Sequence, residues 1–148
     1  MITAYKPKTY GLKTVTLAQL DNVTWYEPLS IPLNTQLIDY TKCVSGYRVD
    51  SSGELTEEEW AWVSDYTVID PSMTFSYIGY NWWDICFYDS SKTFISYFRM
   101  HDDDGVTIDN NDYAHGTLTP SKIPSNAMYI RIDALGNNSD SMSLIRTA

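Results

Sequence analysis

The sequence predicts an all-β protein that folds as an antiparallel sandwich or barrel. Short apolar or alternating runs recur along the 148 residues, and Gly, Pro, Asn, Asp and Ser separate them. The aromatic content of 14 %, with five Trp and twelve Tyr, suits side chains that pack on sheet faces. The chain shows no heptads and no internal repeats, which argues against a fibre shaft.

The first 45 residues predict an extended N-terminal arm that includes a first strand. Segment 13–20 alternates apolar and polar residues in its first half, which indicates a strand. Proline residues interrupt the rest of the arm. Trp25 and Tyr26 lie in this irregular stretch, and we expect them to be exposed and to serve as docking residues. The strand-rich domain is predicted to span residues 46–148.

Eight strands are predicted from residue 44 onward, and most of them alternate apolar and polar residues. One local pattern disagrees with strand structure: Thr56-Glu-Glu-Glu59 before Trp60 matches a helix capping box. Since strand character returns at Val63, we expect only a single helical turn or a loop there. The predicted strands are 44–49, 62–69, 74–80, 84–88, 93–99, 117–118, 128–134 and 143–146.

The segment 85–97 predicts a hairpin with a polar tip. Alternation places Ile85 and Phe87 on one face of its first strand and Cys86 and Tyr88 on the other. Segment 75–98 contains ten aromatic residues in twenty-four, and we expect most of them to be core. Cys86 is predicted to be a small buried hydrophobe, because two cysteines are too few for a disulfide scaffold.

A turn at Pro124 predicts a strand that follows it directly. In this strand Tyr129 and Arg131 share one face, and Ile130 and Ile132 share the other. We expect Arg131 to form a surface ion pair with an acid on the neighbouring strand, where it would add little stability.

The turn at residues 80–84 is the candidate binding site. It comprises Tyr80, Asn81, Trp82, Trp83 and Asp84. Two adjacent tryptophans cannot both face the same core from one regular strand, so we expect one of them to be exposed. An exposed ring beside Asn and Asp suits stacking on a sugar, with the polar groups taking its hydroxyls. It suits a protein interface equally well.

The net charge of −9 limits the kinds of partner that the chain is expected to bind. Residues 1–48 carry five Lys/Arg and three Asp/Glu, whereas residues 49–148 carry five and sixteen. An acidic body repels a phosphate backbone, so nucleic-acid binding is not expected. The start has no apolar run of signal-peptide length, and no eighteen apolar residues occur in sequence. We therefore expect a soluble chain with no membrane partner and no N-terminal export signal.

No motif points to catalysis or to a cofactor. The chain contains no Gly-x-Ser-x-Gly, P-loop or His-Glu-x-x-His pattern, and we expect no enzymatic activity. The acidic loop from His101 to Asp112 holds Asp and Asn residues of the kind that bind calcium, but it lacks the bidentate Glu of an EF-hand. Its two interpretations, a hydrated surface loop and a calcium site, both stay open. No metal site is predicted.

Four segments occur in order along the chain: Gly53-Glu-Leu, Val63-Ser-Asp-Tyr-Thr-Val-Ile-Asp-Pro, Ile85-Cys-Phe-Tyr-Asp-Ser-Ser-Lys-Thr-Phe-Ile-Ser and Ile123-Pro-Ser-Asn-Ala-Met-Tyr-Ile-Arg-Ile. With these segments, the chain over residues 43–147 resembles a jelly-roll module of phage virion proteins. This module is repeated in tail and fibre proteins of phages of gut bacteria, including crAss-like phages, and in related bacterial surface proteins.

The resemblance implies a jelly-roll β-sandwich similar to carbohydrate-binding modules. It implies a virion protein, made in the host cytoplasm, that decorates a capsid or tail in many copies and binds host or mucosal glycans weakly. Its partners would be other virion proteins, reached through the N-terminal head. A free-standing bacterial carbohydrate-binding module or adhesin domain is the alternative, and a small hydrolase is a third. No binding residue of the module can be carried over onto Trp82 and Trp83.

Overall fold

The computed structural model describes residues 2–4, 23–25, 31–136 and 141–148. Within these residues the predicted all-β class is confirmed, and the helical elements are three 3-10 turns at Tyr40–Lys42, Met100–Asp102 and Pro120–Lys122. The strands are β1 (Ile2–Ala4), β2 (Val23–Trp25), β3 (Val44–Val49), β4 (Leu55–Val63), β5 (Thr67–Val68), β6 (Phe75–Tyr80), β7 (Asp84–Tyr88), β8 (Phe94–Arg99), β9 (Thr107–Ile108), β10 (Tyr113–Leu118), β11 (Tyr129–Arg131), β12 (Asp133–Leu135) and β13 (Ser143–Arg146).

The chain divides into two compact units, Met1–Ser30 and Ile31–Ala148. In the first unit, β1 and β2 pair in parallel, with Ile2 opposite Val23. The strand predicted at 13–20 lies outside the described residues, and so does Tyr26. Trp25 belongs to β2, of which only the backbone is described.

The first sheet of the second unit has the strand order β13-β6-β10-β9 and is antiparallel throughout. Its central strand β6 alternates buried and half-buried residues, as expected for a strand with one face on the core. Gly79 sits on the inner face, where a Cβ would collide with Met100 and Ile132. This close approach explains why the strand contains glycine at that position.

The second layer combines two sets of strands, β5-β11-β7-β8 and β12-β4-β3. Only Ile132 separates β11 from β12, and hydrogen bonds join it to Ser64 between β4 and β5. The Ser64 N–H donates to the Ile132 carbonyl at 2.9 Å, and the Ile132 N–H donates to Ser64 Oγ at 3.0 Å. Ser64 therefore bridges an irregularity that a regular ladder would leave unpaired.

The main core lies between the first sheet and the second layer. The arrangement is an antiparallel β-sandwich, as predicted. Ile85 and Phe87 of β7 face this core, whereas Cys86 and Tyr88 face the other side of the layer, which confirms the predicted alternation. Other large buried members of the main cluster are Ile69, Phe75, Tyr77, Met100, Leu118, Ile130, Ile132, Met142 and Leu144.

The tip of the β3–β4 hairpin covers the outer side of β7. Val49 and Val63 form a second buried cluster there with Cys86 and Tyr88. Cys86 Sγ lies 3.2 Å from the carbonyl oxygen of Asp50, and the hydroxyl of Tyr88 donates to the carbonyl of Gly53 at 2.8 Å. Cys86 is fully buried, as predicted.

Residues 55–63 form strand β4, so the single turn or loop expected from the capping box is wrong. Pairing with β3 overrides the local helix signal. The register shifts between the pairs Ser45–Trp62 and Tyr47–Glu57, so a bulge of β4 faces Gly46. Trp60 lies in this bulge with a φ of 68°.

Strand β10 is longer than predicted and spans the whole length of β6. His115 and Gly116 interrupt the apolar alternation that marks a strand in the sequence. Gly116 is required where it stands, because a Cβ there would collide with the ring of Tyr77. The short strand β9, which was not predicted, pairs with the start of β10.

The segment 31–37 runs along β13. The Asn34 N–H donates to the carbonyl of Arg146 at 2.9 Å, and the Leu37 N–H donates to the carbonyl of Leu144 at 2.9 Å. The Arg146 guanidinium donates from Nη1 to the carbonyl of Ile31 at 2.7 Å. This segment belongs to the second unit, although the predicted boundary of the arm lay at residue 45.

Candidate functional site

The turn between β6 and β7 carries the predicted binding residues. The Trp83 N–H donates to the carbonyl of Tyr80 at 3.0 Å and closes the turn, and the Asn81 N–H donates to the carbonyl of Asp112 at 2.9 Å. The side chain of Trp82, at the apex, is 55 % exposed. As predicted, one of the two adjacent tryptophans faces solvent.

Trp82 stacks on His101, and the pair forms a flat aromatic surface. The ring centroids are 4.4 Å apart, and the planes are inclined by 22°. Asn81 is buried, and its Oδ1 lies 2.7 Å from His101 Nδ1. Since an amide oxygen only accepts, Nδ1 carries the proton and the ring is held in one orientation. His101 is a site residue that the sequence did not reveal, because it lies twenty residues along the chain.

Trp83 turns back onto the protein. Its ring meets Tyr80 edge-on at 4.8 Å between centroids, and the guanidinium of Arg48 lies 5.6 Å from its centroid. Burial raises the pKa of the Tyr80 hydroxyl, and the negative charges of Asp112 and Glu58 raise it further. Trp83 therefore packs the turn against the protein, whereas the ring of Trp82 lies in solvent.

Asp84 is buried and holds Arg99 in a two-pronged ion pair. Arg99 Nε and Nη2 donate to the two carboxylate oxygens at 2.8 and 3.2 Å. This pairing raises the pKa of the Arg99 guanidinium. Arg99 remains exposed, and it lies over the ring of Tyr97 at 5.7 Å from the centroid. The polar groups that this region offers to a ligand are thus those of Arg99 and His101, with Asn81 and Asp84 positioning them.

A second concave site lies on the outer side of the second layer. This cleft has a volume of about 360 Å³, and we call it the Arg131 cleft. The sequence did not point to it, because Arg131 was expected to form a surface ion pair. Arg131 is instead buried, and among the described residues it makes no ion pair; its Nε donates to the carbonyl of Ser64 at 2.9 Å. The lining residues are Gly53, Glu54, Leu55, Tyr66, Tyr88, Lys92, Phe94 and Arg131.

A third, smaller hollow of about 270 Å³ surrounds the bulge in β4. Trp60 and Trp62 line it together with Ser45, Gly46 and Gly136. Trp60 is exposed, and a positive φ is an uncommon conformation for a bulky residue. The bulge directs this ring outward instead of into the core.

Two carboxylates of the acidic loop, those of Asp103 and Asp109, form hydrogen bonds within the fold. Asp103 accepts hydrogen bonds from the hydroxyl of Tyr77 at 2.9 Å and from Lys122 Nζ at 2.7 Å. Asp109 accepts from backbone N–H groups of its own turn, and His115 Nε2 lies 2.8 Å from its Oδ2. The hydrogen bond with His115 lowers the pKa of Asp109. In the part of the chain that the structure describes, no three His, Cys, Asp or Glu side chains are grouped for a metal ion.

No protein-family model, curated protein or solved structure matches this chain. Among the described residues, no helix has the length and apolar character needed to cross a membrane.

Proposed function

We propose that this protein is a non-enzymatic accessory component of a phage virion, which decorates the capsid or tail and binds host or mucosal glycans weakly. The exposed stacked pair of Trp82 and His101 carries the binding part of the proposal. A rigid aromatic plane offers large contact area at low entropic cost, which suits the apolar face of a sugar ring.

The order of the strands supports the jelly-roll part of the proposal. Counted along the chain, the strands are segment 33–36, β4 with β5, β6, β7, β8, β10, β11 with β12, and β13. With β9 and β3 counted as additional edge strands, the first sheet then has the order 1-8-3-6, and the second has 2-7-4-5. A jelly roll has eight strands that alternate between two sheets in this way.

Weak binding by each copy is sufficient for such a role. Many copies on one particle turn contacts of low affinity into useful avidity, provided that several copies reach the surface together. A single exposed aromatic pair, without a deep pocket, fits this mode of attachment.

Replacing Trp82 by Ala is expected to abolish retention on a glycan array and to leave the fold intact. The side chain is mostly exposed, so its removal costs little stability, whereas the stacking surface is lost. Circular dichroism checks the fold. Trp60→Ala is the matched control, because Trp60 is also an exposed tryptophan but lies in the β4 bulge. Equal retention of the Trp82 variant and the wild type would contradict glycan binding at this turn.

The same aromatic pair also favours the alternative, a free-standing carbohydrate-binding module or adhesin domain of a bacterium. Location distinguishes the two functions. Antibody labelling of purified phage particles supports the virion function if the protein is found at regular positions on the particle. Its recovery only in bacterial cell-surface or culture fractions supports the alternative.

A further inference from the structure

The Arg131 cleft is held open by a hairpin tip that is firmly fixed. Asp50 at the start of the tip accepts hydrogen bonds from the Ser52 N–H at 2.8 Å and from the Thr56 hydroxyl at 2.9 Å. Gly53, with a φ of 82°, lies so close to Phe94 that a Cβ would collide with its ring. One wall of the cleft is therefore formed before any ligand arrives, which lowers the entropic cost of binding.

Two cations converge on one aromatic ring in this cleft. Arg131 Cζ lies 4.6 Å from the ring centroid of Tyr66, and Lys92 Nζ lies 5.1 Å from the same centroid. Lys92 Nζ is also 5.5 Å from the centroid of Tyr129. The aromatic faces stabilise two positive charges at one site.

This concentration of positive charge stands out against the rest of the unit. Residues 31–148 contain seven Lys/Arg and seventeen Asp/Glu, yet two of the seven cations line this one cleft. Glu54 also lines it, but within the described residues Glu54 forms no ion pair with either cation. Among the described residues, no residue that lines the cleft thus forms an ion pair with Arg131 or Lys92.

We propose that the Arg131 cleft binds a carboxylate-bearing sugar, such as a uronic acid residue of an acidic glycan. The guanidinium of Arg131 presents a planar fork of donors that matches a carboxylate, and Lys92 adds a second charge at the mouth. The rings of Tyr66 and Phe94 provide apolar walls for the sugar ring, and the volume suits a small ligand. This site is separate from the Trp82–His101 pair and goes beyond the function proposed above.

The test is an NMR titration of the full chain with three probes: sodium glucuronate, glucose and sodium acetate. Glucose has the ring without the charge, and acetate has the charge without the ring. Glucuronate is expected to shift the amide signals of Gly53, Tyr66 and Phe94 and to bind at least about tenfold more tightly than either of the other probes. Equal affinity for glucuronate and acetate, or signal shifts confined to Trp82 and His101, would overturn the proposal.

Lys92→Asn removes one charge without straining the turn. Lys92 has a φ of 61°, a conformation that asparagine tolerates, and its side chain is exposed. Affinity for glucuronate is expected to fall about tenfold. Lys42→Asn is the matched control, because it makes the same charge change on an exposed 3-10 turn. An equal effect of the two substitutions would show a general charge effect and would overturn the site.

Arg131→Lys tests the guanidinium fork while keeping the charge, and circular dichroism checks that this buried change leaves the fold intact. The expected result is again a loss of affinity of about tenfold. Trp60→Ala is expected to leave glucuronate binding unchanged, because Trp60 is exposed in the β4 bulge and does not line the cleft. Because the glycan-array test depends on Trp82 and the glucuronate titration on Lys92 and Arg131, failure of one proposal leaves the other standing.

Discussion

Asp133 is the first residue of β12, and its carboxyl group is buried beside the β3–β4 hairpin. Its Oδ1 accepts the Val49 N–H at 3.0 Å, and among the described residues its Oδ2 has no hydrogen-bond partner. Burial raises its pKa well above the ordinary value, although the Val49 hydrogen bond and the charges of Arg48 and Arg131 oppose this rise. The folded state therefore prefers the protonated acid.

Asp133→Asn is expected to raise the free energy of unfolding at pH 7 by about 1 kcal/mol or more. The amide keeps an oxygen for Val49 and removes the cost of a buried charge. Because the native pKa exceeds the unfolded one, the native state binds more protons. The stability that Asp133 contributes is therefore lost as the pH rises from about 4 towards its folded-state pKa. Urea unfolding at pH 4 and pH 7 measures the free energy of unfolding of both proteins. The difference in this free energy between variant and wild type should be larger at pH 7.

The control for this substitution is Asp104→Asn, which makes the same change at an exposed position. It should alter stability by less than about 0.5 kcal/mol at both pH values. A variant at position 133 that is less stable than the wild type at pH 7 would show instead that an ionised Asp133 stabilises the fold through Arg48 and Arg131.

At the scale of elements, one turn device recurs between the strands. Asp50, Asp70, Asp89 and Asp109 each accept a hydrogen bond at Oδ1 from the N–H two residues later. This side-chain contact adds to the backbone bond of the same turn, in which the Asp carbonyl accepts from the N–H three residues later, and the two together direct the chain into the next strand. Hydrogen bonds to the Asp50 carboxylate, above all the one from the Ser52 hydroxyl, lower the pKa of Asp50 to about 2.

Asp50→Ala is expected to destabilise the second unit by about 1–2 kcal/mol at pH 7, because the hairpin tip loses its acceptor. The folded pKa lies below the unfolded one, so the wild-type contribution is present above about pH 4 and is lost as the pH falls towards about 2. After discounting for solvent screening, about 1 kcal/mol of stability is lost over this range.

Urea unfolding of wild type and variant between pH 2 and pH 7 measures this effect of Asp50. The difference between the two proteins should narrow in acid, whereas Asp104→Ala should match the wild type throughout. A difference that stays constant down to pH 2 would contradict the assigned role of the Asp50 carboxylate.

These turns explain which elements could be predicted from the sequence. Strands β3, β7 and β13 have the predicted bounds, since each is an apolar or alternating run with Asp, Asn, Ser or Gly residues close to at least one of its ends. Strand β4 was hidden by its Thr56–Glu59 pattern, because the bulge that Trp60 occupies depends on pairing with β3. Local sequence carries no signal of such a partner.

The binding residues divide in the same way. The exposure of Trp82 follows from two tryptophans in succession, and the sequence is sufficient to predict it. The stacking of His101 and the Arg131 cleft depend on segments that are far apart in the chain. Arg131 lies opposite Cys86, so the neighbouring strand offers no carboxylate at that position, and the guanidinium turns to the Ser64 carbonyl instead.

At the scale of the whole molecule, the chain consists of two compact units, for which we expect different roles. The sandwich of Ile31–Ala148 carries the aromatic pair and the cleft, and it contains every described residue of the main core. Docking through the N-terminal arm of residues 1–45 stays a prediction, and Met1–Ser30 is the part of this arm that forms a separate unit.

Deleting residues 1–30 is expected to leave a folded sandwich that no longer joins phage particles. The fold should persist because, among the described residues, those of the main core lie from Ile31 onward, within the second unit. Infection of a complemented host, followed by particle purification and immunoblotting, measures incorporation, and near-ultraviolet circular dichroism checks the fold. Incorporation of the truncated protein at the wild-type level would contradict docking by the head.

The pairing of segment 31–37 with β13 affects how such a domain can be inserted into, or fused to, another protein. It brings the two ends of the sandwich to one edge, where Arg146 reaches the carbonyl of Ile31. A unit whose ends meet can be inserted into a loop of a host protein, or joined end to end and reopened elsewhere, without rearranging its strands. A circularly permuted gene that opens the chain at an exposed turn should therefore encode the same sandwich.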